Sequence, residues 1–371
     1  MITVNRNILS RAVNLLLTAA DYGYPRDTQK LDTIRLEVHD KTLKLIDWRP
    51  TSRMQVWVQA EDLASDGVAE YSRVVLRDPS RRGRTVQLAY NAEELPPPPD
   101  TGTFLATMSA SALRLAIGQT APAAQATHSD LGLHNVSFDW GLAGVSLTAG
   151  SHYRMSTAGV TGSLAAGAGR EWCTVPSVDL RRLAKLLDGI QDRSTVTAWQ
   201  RGEDLVFVTH AEGDICRIEY VMQIQPKKYP DFAPLFDLRH APNLTIVVRT
   251  SALVEALDIV AEGRNAHDYL TLSVSSGSFL PTAGVLMVAR AHRGWQNGMG
   301  NVTTAQCAAE VSGDPMSVQV NAGYLRHAVA GLDCRITPNV TIHVHNDAIR
   351  YNGRMVRVEA GDCRHVIMPK T

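Results

Sequence analysis

Five segments of this chain repeat one pattern, and that repetition limits the available folds more than any other feature of the sequence. They read VNRNILSRAV from Val4, MSASALRLAI from Met108, VPSVDLRRLA from Val175, VRTSALVEAL from Val248 and VNAGYLRHAV from Val320. Each opens on an apolar residue, passes through small or capping residues, carries Leu at its sixth position and then shows an apolar helical face. The sixth positions are Leu9, Leu113, Leu180, Leu253 and Leu325. Asn5, Ser109, Ser177, Thr250 and Asn321 precede those faces, where a side-chain oxygen can take up the open N–H groups of a helix start. Successive leucines stand 104, 67, 73 and 72 residues apart. A period of about 70 is too long for a solenoid repeat and suits a half-domain of one helix plus several strands.

The sequence between the helices supplies those strands. TIRLEVHD, TLKLIDW, VSFDW, GVSLTAG, STVTAWQRGEDLVFVTHAEG and VTIHVHNDAIRYNG alternate apolar and polar residues between Gly, Asp and Asn turns, as half-exposed antiparallel strands do. Asn352-Gly353 predicts a two-residue hairpin turn. Two halves make a domain, so the fold class is α+β with three domains, residues 1–101, 102–238 and 239–371. Five helices are found where six are due, and the first gap of 104 residues is shorter than two periods, so the first domain has lost its second helix or keeps it too short to recognise. LPPPPDTG (Leu95–Gly102) is a stiff spacer after the first domain, and DLRHAPN (Asp237–Asn243) separates the second from the third.

Charge and composition remove several classes. With 37 Lys+Arg against 37 Asp+Glu the formal net charge is +0, so no global field draws the 371-residue chain to nucleic acid. Any DNA contact must use a local basic surface. Hydrophobic residues at 44% and charged residues at 20% are ordinary for a folded globular protein. No apolar run reaches the ~18 residues of a membrane span, and a charged-then-apolar leader is missing, so a cytoplasmic protein with no membrane partner is expected. The five cysteines have no CxxC spacing, which argues against a disulfide framework or a structural zinc site.

Catalytic motifs are missing as well. There is no GxxxxGK[ST], and GVTGSLAAGAG (Gly159–Gly169) has no Lys to reach a phosphate. No GxSxG, HExxH or paired-carboxylate motif occurs. His343 and His345 stand two apart on an expected strand, but no third ligand accompanies them, and a solvated strand face is the simpler reading. Cys173 and Cys216 read as small packing residues. The expectation is a non-enzyme without metal or cofactor. The basic residues carry more information. Arg6, Arg11, Arg114, Arg181, Arg182, Lys185 and Arg326 fall in or beside four of the five repeat helices. Taken singly, each reads as part of a solvated helix face.

Several segments, in order along the chain, resemble the bacterial DNA polymerase III β subunit, the sliding clamp. TAGSHYRMSTA (Thr148–Ala158) is similar to that family's T-D-G-Y-R-L-A strand, and YPDFAPLF (Tyr229–Phe236) to F-P-D-Y. QVNAGYLRHAVAGL (Gln319–Leu332) is similar to F-N-x-x-Y-L-x-D-x-L, and the ending HVIMPKT to V-x-M-P. Gly150-Ser151-His152 replaces T-D-G, Ala233 and Pro234 stand where basic residues are usual, and the terminal M-R-L is reduced to Lys370-Thr371. The resemblance therefore implies a divergent clamp or a clamp paralogue.

It implies a three-domain DNA-clamp fold with antiparallel sheets outside and helices inside, closed into a ring as a head-to-tail homodimer. The seven basic residues named above would then face double-stranded DNA through screened contacts that read no sequence. A pocket for short linear motifs of a replicative polymerase, the clamp loader and other clamp-binding proteins would use Leu133, Tyr153, Arg154, Met155, Pro230, Leu235, Val366, Met368 and Pro369. The ring contact would use edge strands at Val86 and Leu88 on one side and Ile259 and Val260 on the other. The alternative is a clamp-fold paralogue that does not encircle DNA and acts as a regulator or decoy for clamp-binding partners.

Overall fold

The computed structural model describes residues 1–20, 33–72, 76, 85–89, 91–92, 102–125, 132–141, 144–164, 171–190, 194–209, 215–226, 229–236, 241–260, 269–276, 283–291, 302–347 and 353–369. Each repeated segment is a strand that runs directly into a helix. Ile2–Asn5 leads into α1 (Arg6–Ala20), Thr103–Ser109 into α2 (Ala110–Thr120) and Glu171–Pro176 into α3 (Ser177–Asp188). Leu244–Arg249 leads into α4 (Thr250–Val260), and Ser317–Asn321 into α5 (Ala322–Val329). Leu9, Leu113, Leu180, Leu253 and Leu325 are all fully buried at 0% exposure, so the repeated leucine is the anchor that seats each helix on its sheet.

The expected caps hold in part. The Asn5 Oδ1 accepts from the Asn7 N–H at 3.0 Å, and the Asn321 Oδ1 from the Tyr324 N–H at 3.1 Å. Ser109 Oγ lies 3.5 Å from the Ala112 N–H, a long contact. Ser177 and Thr250 are instead the first residues inside their helices. Pro176 occupies the cap of α3 with no side-chain bond, and the Thr250 hydroxyl donates to the Thr337 carbonyl.

The chain divides into two compact units. The first comprises Met1–Ile117, Ser137–Ser146 and Val160–Lys227. Its main antiparallel sheet runs, neighbour by neighbour, Gly162–Leu164, Thr103–Ser109, Thr195–Arg201, Asp204–Thr209, Ile215–Gln223, Ser52–Ser72 and Thr33–Trp48. A separate antiparallel pair joins Ile2–Asn5 to Thr85–Leu88. Leu76 is helical and buried, and the other residues between 73 and 84, where a second helix of the first domain would fall, lie outside the described residues. So do residues 95–101 of the proline spacer and 237–240 of the second linker.

The second unit comprises Gly118–Val136, Leu147–Gly159 and Lys228–Thr371. Its strands follow the order Arg154–Val160, Cys363–Ile367, Gly353–Ala360, Asn339–Asp347, Leu244–Arg249, Val302–Gly313, Ala283–Ala291, Tyr269–Ser276 and Ser317–Asn321. The terminal strand Cys363–Ile367 is thus paired on both sides rather than lying at an edge. Gly353 stands opposite Asp347 at the end of the described register. Asn352 itself lies outside the described residues.

Candidate functional site

The terminal strand carries the candidate partner pocket. Cys363–Ile367 pairs with Arg154–Val160 in antiparallel register, with Val366 opposite Met155 and Ile367 opposite Arg154. The pairing is extended by the Met368 N–H, which donates to the Tyr153 carbonyl at 2.9 Å. That register turns Met155 and Val366 into one apolar cluster with Met355 and Phe236, against which Phe232, Leu235 and Met368 pack. Gly150 leaves room for it, because a Cβ there would meet the Met155 Cγ at 2.7 Å. The segment Tyr229–Phe236 closes one side: a helical turn spans Ala233–Phe236, and the Phe236 carbonyl accepts from Arg357 Nη1 at 3.4 Å. Tyr229 stacks edge-on to Phe232 at 5.5 Å, and burial pushes its phenol well above the usual tyrosine range.

The polar rim is Arg154. Its Nη1 lies 2.6 Å from His327 Nδ1, its Nη2 donates to the Pro122 carbonyl, and its guanidinium carbon stands 4.4 Å from the Tyr324 ring centroid. Below it, His365 is buried with Nδ1 2.8 Å from the Ser156 hydroxyl. Burial first, then the charges of Arg154 and His327, push the His365 imidazole down to about 3. Of the expected pocket residues, Arg154, Met155, Leu235, Val366 and Met368 come together here, with Pro230 and Pro369 half-buried in the flanking segments. Tyr153 is 64% exposed, and Leu133 is buried outside this cluster. The sequence reading missed Phe232, Phe236, Met355, Tyr324 and His327. All but Met355 stand inside the quoted motifs, and Met355 is signalled only by strand alternation.

The basic residues divide. Arg11 and Lys185 are exposed and Arg6 and Arg181 half-buried. Arg114 Nη1 lies 2.6 Å from Asp188 and Lys185 Nζ lies 3.4 Å from the same carboxylate. Arg326 pairs with Asp258 at 3.0 Å. Arg182 does not belong with them: it is 1% exposed, and its Nη1 lies 3.2 Å from the fully buried Asp179. Asp179 also accepts from the Thr51 hydroxyl at 2.6 Å and the Ser52 hydroxyl at 2.8 Å, a buried network with no surface to offer DNA.

The expected interface residues also need correction. Val86 and Leu88 do lie on a strand, with Leu88 opposite Ile2. Ile259 and Val260 form the last turn of α4 rather than an edge strand; Val260 is buried and Ile259 is 48% exposed. An edge exists elsewhere. Val302–Gly313 pairs with Ala283–Ala291 along residues 302–310, but its other side meets Leu244–Val248 only at residues 309–313. Among the described residues, Val302–Ala308 therefore presents an unpaired side.

His343 and His345 do not lie on the solvated face expected of them: His345 is buried, and His343 is held by its neighbours. His343 Nδ1 lies 3.0 Å from the Thr245 hydroxyl and Nε2 lies 3.6 Å from Glu359, while burial and Arg357 push His345 down to about 4. No group of three or more His, Cys, Asp or Glu side chains that could hold a metal ion occurs among the described residues. No helix there is long and apolar enough to cross a membrane.

Comparison with solved structures identifies the architecture. The DNA polymerase sliding clamp of Bacillus subtilis aligns with a TM-score of 0.78 at 13% identity, covering 100% of this chain and 98% of that one. The chain has the sliding-clamp fold. The DNA polymerase III β subunit of Thermotoga maritima aligns at 0.72 and 12% identity, covering 100% and 99%. A sliding clamp of Pseudomonas aeruginosa bound to griselimycin aligns at 0.75 and 17% identity, with the same coverage. No family model and no curated protein matches the chain. The clamp fold is thus shared at only 12% to 17% sequence identity.

Proposed function

We propose that this chain is a DNA sliding clamp: a head-to-tail homodimeric ring that encircles duplex DNA and tethers a replicative polymerase for processive synthesis. The observation that carries the reading is the apolar cluster of Met155, Phe236, Met355 and Val366 beneath the Arg154 rim, built on a doubly paired terminal strand in a chain of clamp fold. Flexible methionines beside aromatic rings accommodate several related peptides, which suits polymerase, clamp-loader and other partners. The griselimycin-bound clamp supports a small-ligand site on this fold. The domain division 1–101, 102–238 and 239–371 belongs to this reading, as does a cytoplasmic location.

No chemical step is required of such a protein. A topological link raises the local concentration of polymerase at the primer end, and processivity follows from that. The unpaired side of Val302–Ala308 and the exposed Ile259 on the second unit, with the Thr85–Leu88 strand on the first, support a ring contact of heterologous type. Arg6, Arg11, Arg114, Arg181, Lys185 and Arg326 would meet phosphates without reading bases.

One observation favours the second reading, a clamp-fold regulator or decoy that does not encircle DNA. Asp188 and Asp258 already engage Arg114, Lys185 and Arg326. Retention on nicked circular DNA, with release on linearisation, distinguishes the two. Equal retention on linear and circular DNA, or none on either, rejects the ring.

A further inference from the structure

His327 is exposed on α5, yet its ring is committed. Arg154 Nη1 sits 2.6 Å from His327 Nδ1. A guanidinium only donates, so Nδ1 must accept, which fixes the imidazole as neutral with its proton on Nε2. The same guanidinium lies over Tyr324 at 4.4 Å and bonds the Pro122 carbonyl. These three contacts hold a long side chain that otherwise has many rotamers in one place at the pocket rim.

We propose that His327 is a positioning residue for Arg154, and that it makes the pocket's grip on a peptide depend on pH. The inference rests on the reading of this cluster as the partner pocket. When His327 takes a proton both ring nitrogens become donors, the bond to Arg154 is lost and two cations face each other. Arg154 then leaves its place over Tyr324, and the rim is no longer pre-organised for a ligand.

His365, on the terminal strand packed against α5, is coupled electrostatically to His327, and Arg154 reaches His327 from the adjoining strand. His365 is buried against Ser156 and stays neutral to about pH 3, so it does not respond in the same range. Arg357 and Glu359 on the next strand pair with each other at 3.1 Å. Asp258 on α4 is taken by Arg326 at 3.0 Å.

The test uses the full chain and griselimycin as probe, by calorimetry between pH 8 and pH 5.5. Wild-type affinity is expected to fall at least about twofold over that range, because the Arg154 guanidinium beside the ring delays the protonation of His327 towards the acid end. The His327→Gln curve is expected to be flat, because an amide oxygen accepts from Arg154 without titrating. A His327→Gln curve with the wild-type slope overturns the proposal. Binding of griselimycin at no pH sinks the pocket reading instead, and imidazole NMR then decides the latch independently. The latch requires a bare Nδ1 on His327 at pH 8 and a His327 titration that moves in Arg154→Ala. A proton on Nδ1, or a titration indifferent to Arg154→Ala, removes it.

Discussion

Replacing Asp179 by Ala tests whether Arg182 is a structural or a DNA-facing residue. Asp179 is 0% exposed and accepts from Thr51, Ser52 and Arg182 at 2.6, 2.8 and 3.2 Å. Tyr220 borders the same network through Ser52, and burial followed by the Asp179 charge pushes its phenol upward. Truncating one partner of a buried ion pair costs about 3–5 kcal/mol, because the remaining charge stays buried without its counter-ion. Two hydroxyls lose their acceptor as well, so we expect a loss of about 4 kcal/mol. Arg182→Met should cost about 2 kcal/mol, since Asp179 keeps both hydroxyl donors. The double variant should be more stable than Asp179→Ala alone, because the unpaired charge is gone. Urea unfolding followed by tryptophan fluorescence reads the relevant unit: Trp48, Trp57, Trp140, Trp172 and Trp199 all lie in the unit that contains Asp179. If Asp179→Ala costs under about 0.5 kcal/mol, the cost typical of an exposed position, Arg182 is solvated and returns to the exposed cations.

Three further outcomes are expected. Replacing Arg11, Arg181 and Lys185 together by Ala should weaken DNA retention and reduce its salt slope by about 2 to 3, leaving urea stability near that of the wild type; an unchanged slope assigns them to a surface away from DNA. Ile259→Asp should shift sedimentation from dimer to monomer at micromolar concentration, and an unaltered dimer removes the end of α4 from the contact. His365 binds its proton near pH 3 when folded and near pH 6.5 when unfolded, so the unfolded state carries more protons between those values. Stability should therefore be flat above about pH 7 and fall as pH drops from about 6.5 towards 3; His365→Gln should flatten part of that fall in urea midpoint, and an identical fall would refute the assignment.

The sequence carried the helices and the pocket strand better than it carried individual side chains. All five repeat leucines are buried anchors, and Arg154, Met155, Val366 and Met368 meet because one strand register unites two distant motifs. The errors have two physical sources. The first is helical phase. At about 100° per residue, Arg182 sits about 40° from Leu186, on the edge of the buried arc, whereas Arg181 and Lys185 point away from it. Leu253, Ala256, Leu257 and Val260 follow the same spacing, which places Val260 inside α4 rather than on a strand. The second source is distance along the chain. Asp179 takes Thr51 and Ser52 from 128 and 127 residues away, and no local pattern in the sequence announces that a hairpin tip will supply them.

On the clamp reading, the ion pairs that otherwise favour the decoy must open and re-form as phosphates pass. A protein that neutralises many phosphates at fixed positions binds tightly and must break several contacts to advance. Asp188 is shared by Arg114 and Lys185, and Asp258 holds Arg326, so each of these cations has a carboxylate to return to when a phosphate moves away. These pairs are between about 40% and 60% exposed, where an ion pair is worth only about 0–1 kcal/mol, so exchange between carboxylate and phosphate costs little. Asp188→Asn tests this exchange directly. Freeing Arg114 and Lys185 should strengthen DNA retention at low salt and steepen its salt dependence, while slowing diffusion of the protein along DNA in single-molecule tracking. Faster or unchanged diffusion together with unchanged retention would show that these carboxylates play no part in setting the hold on DNA.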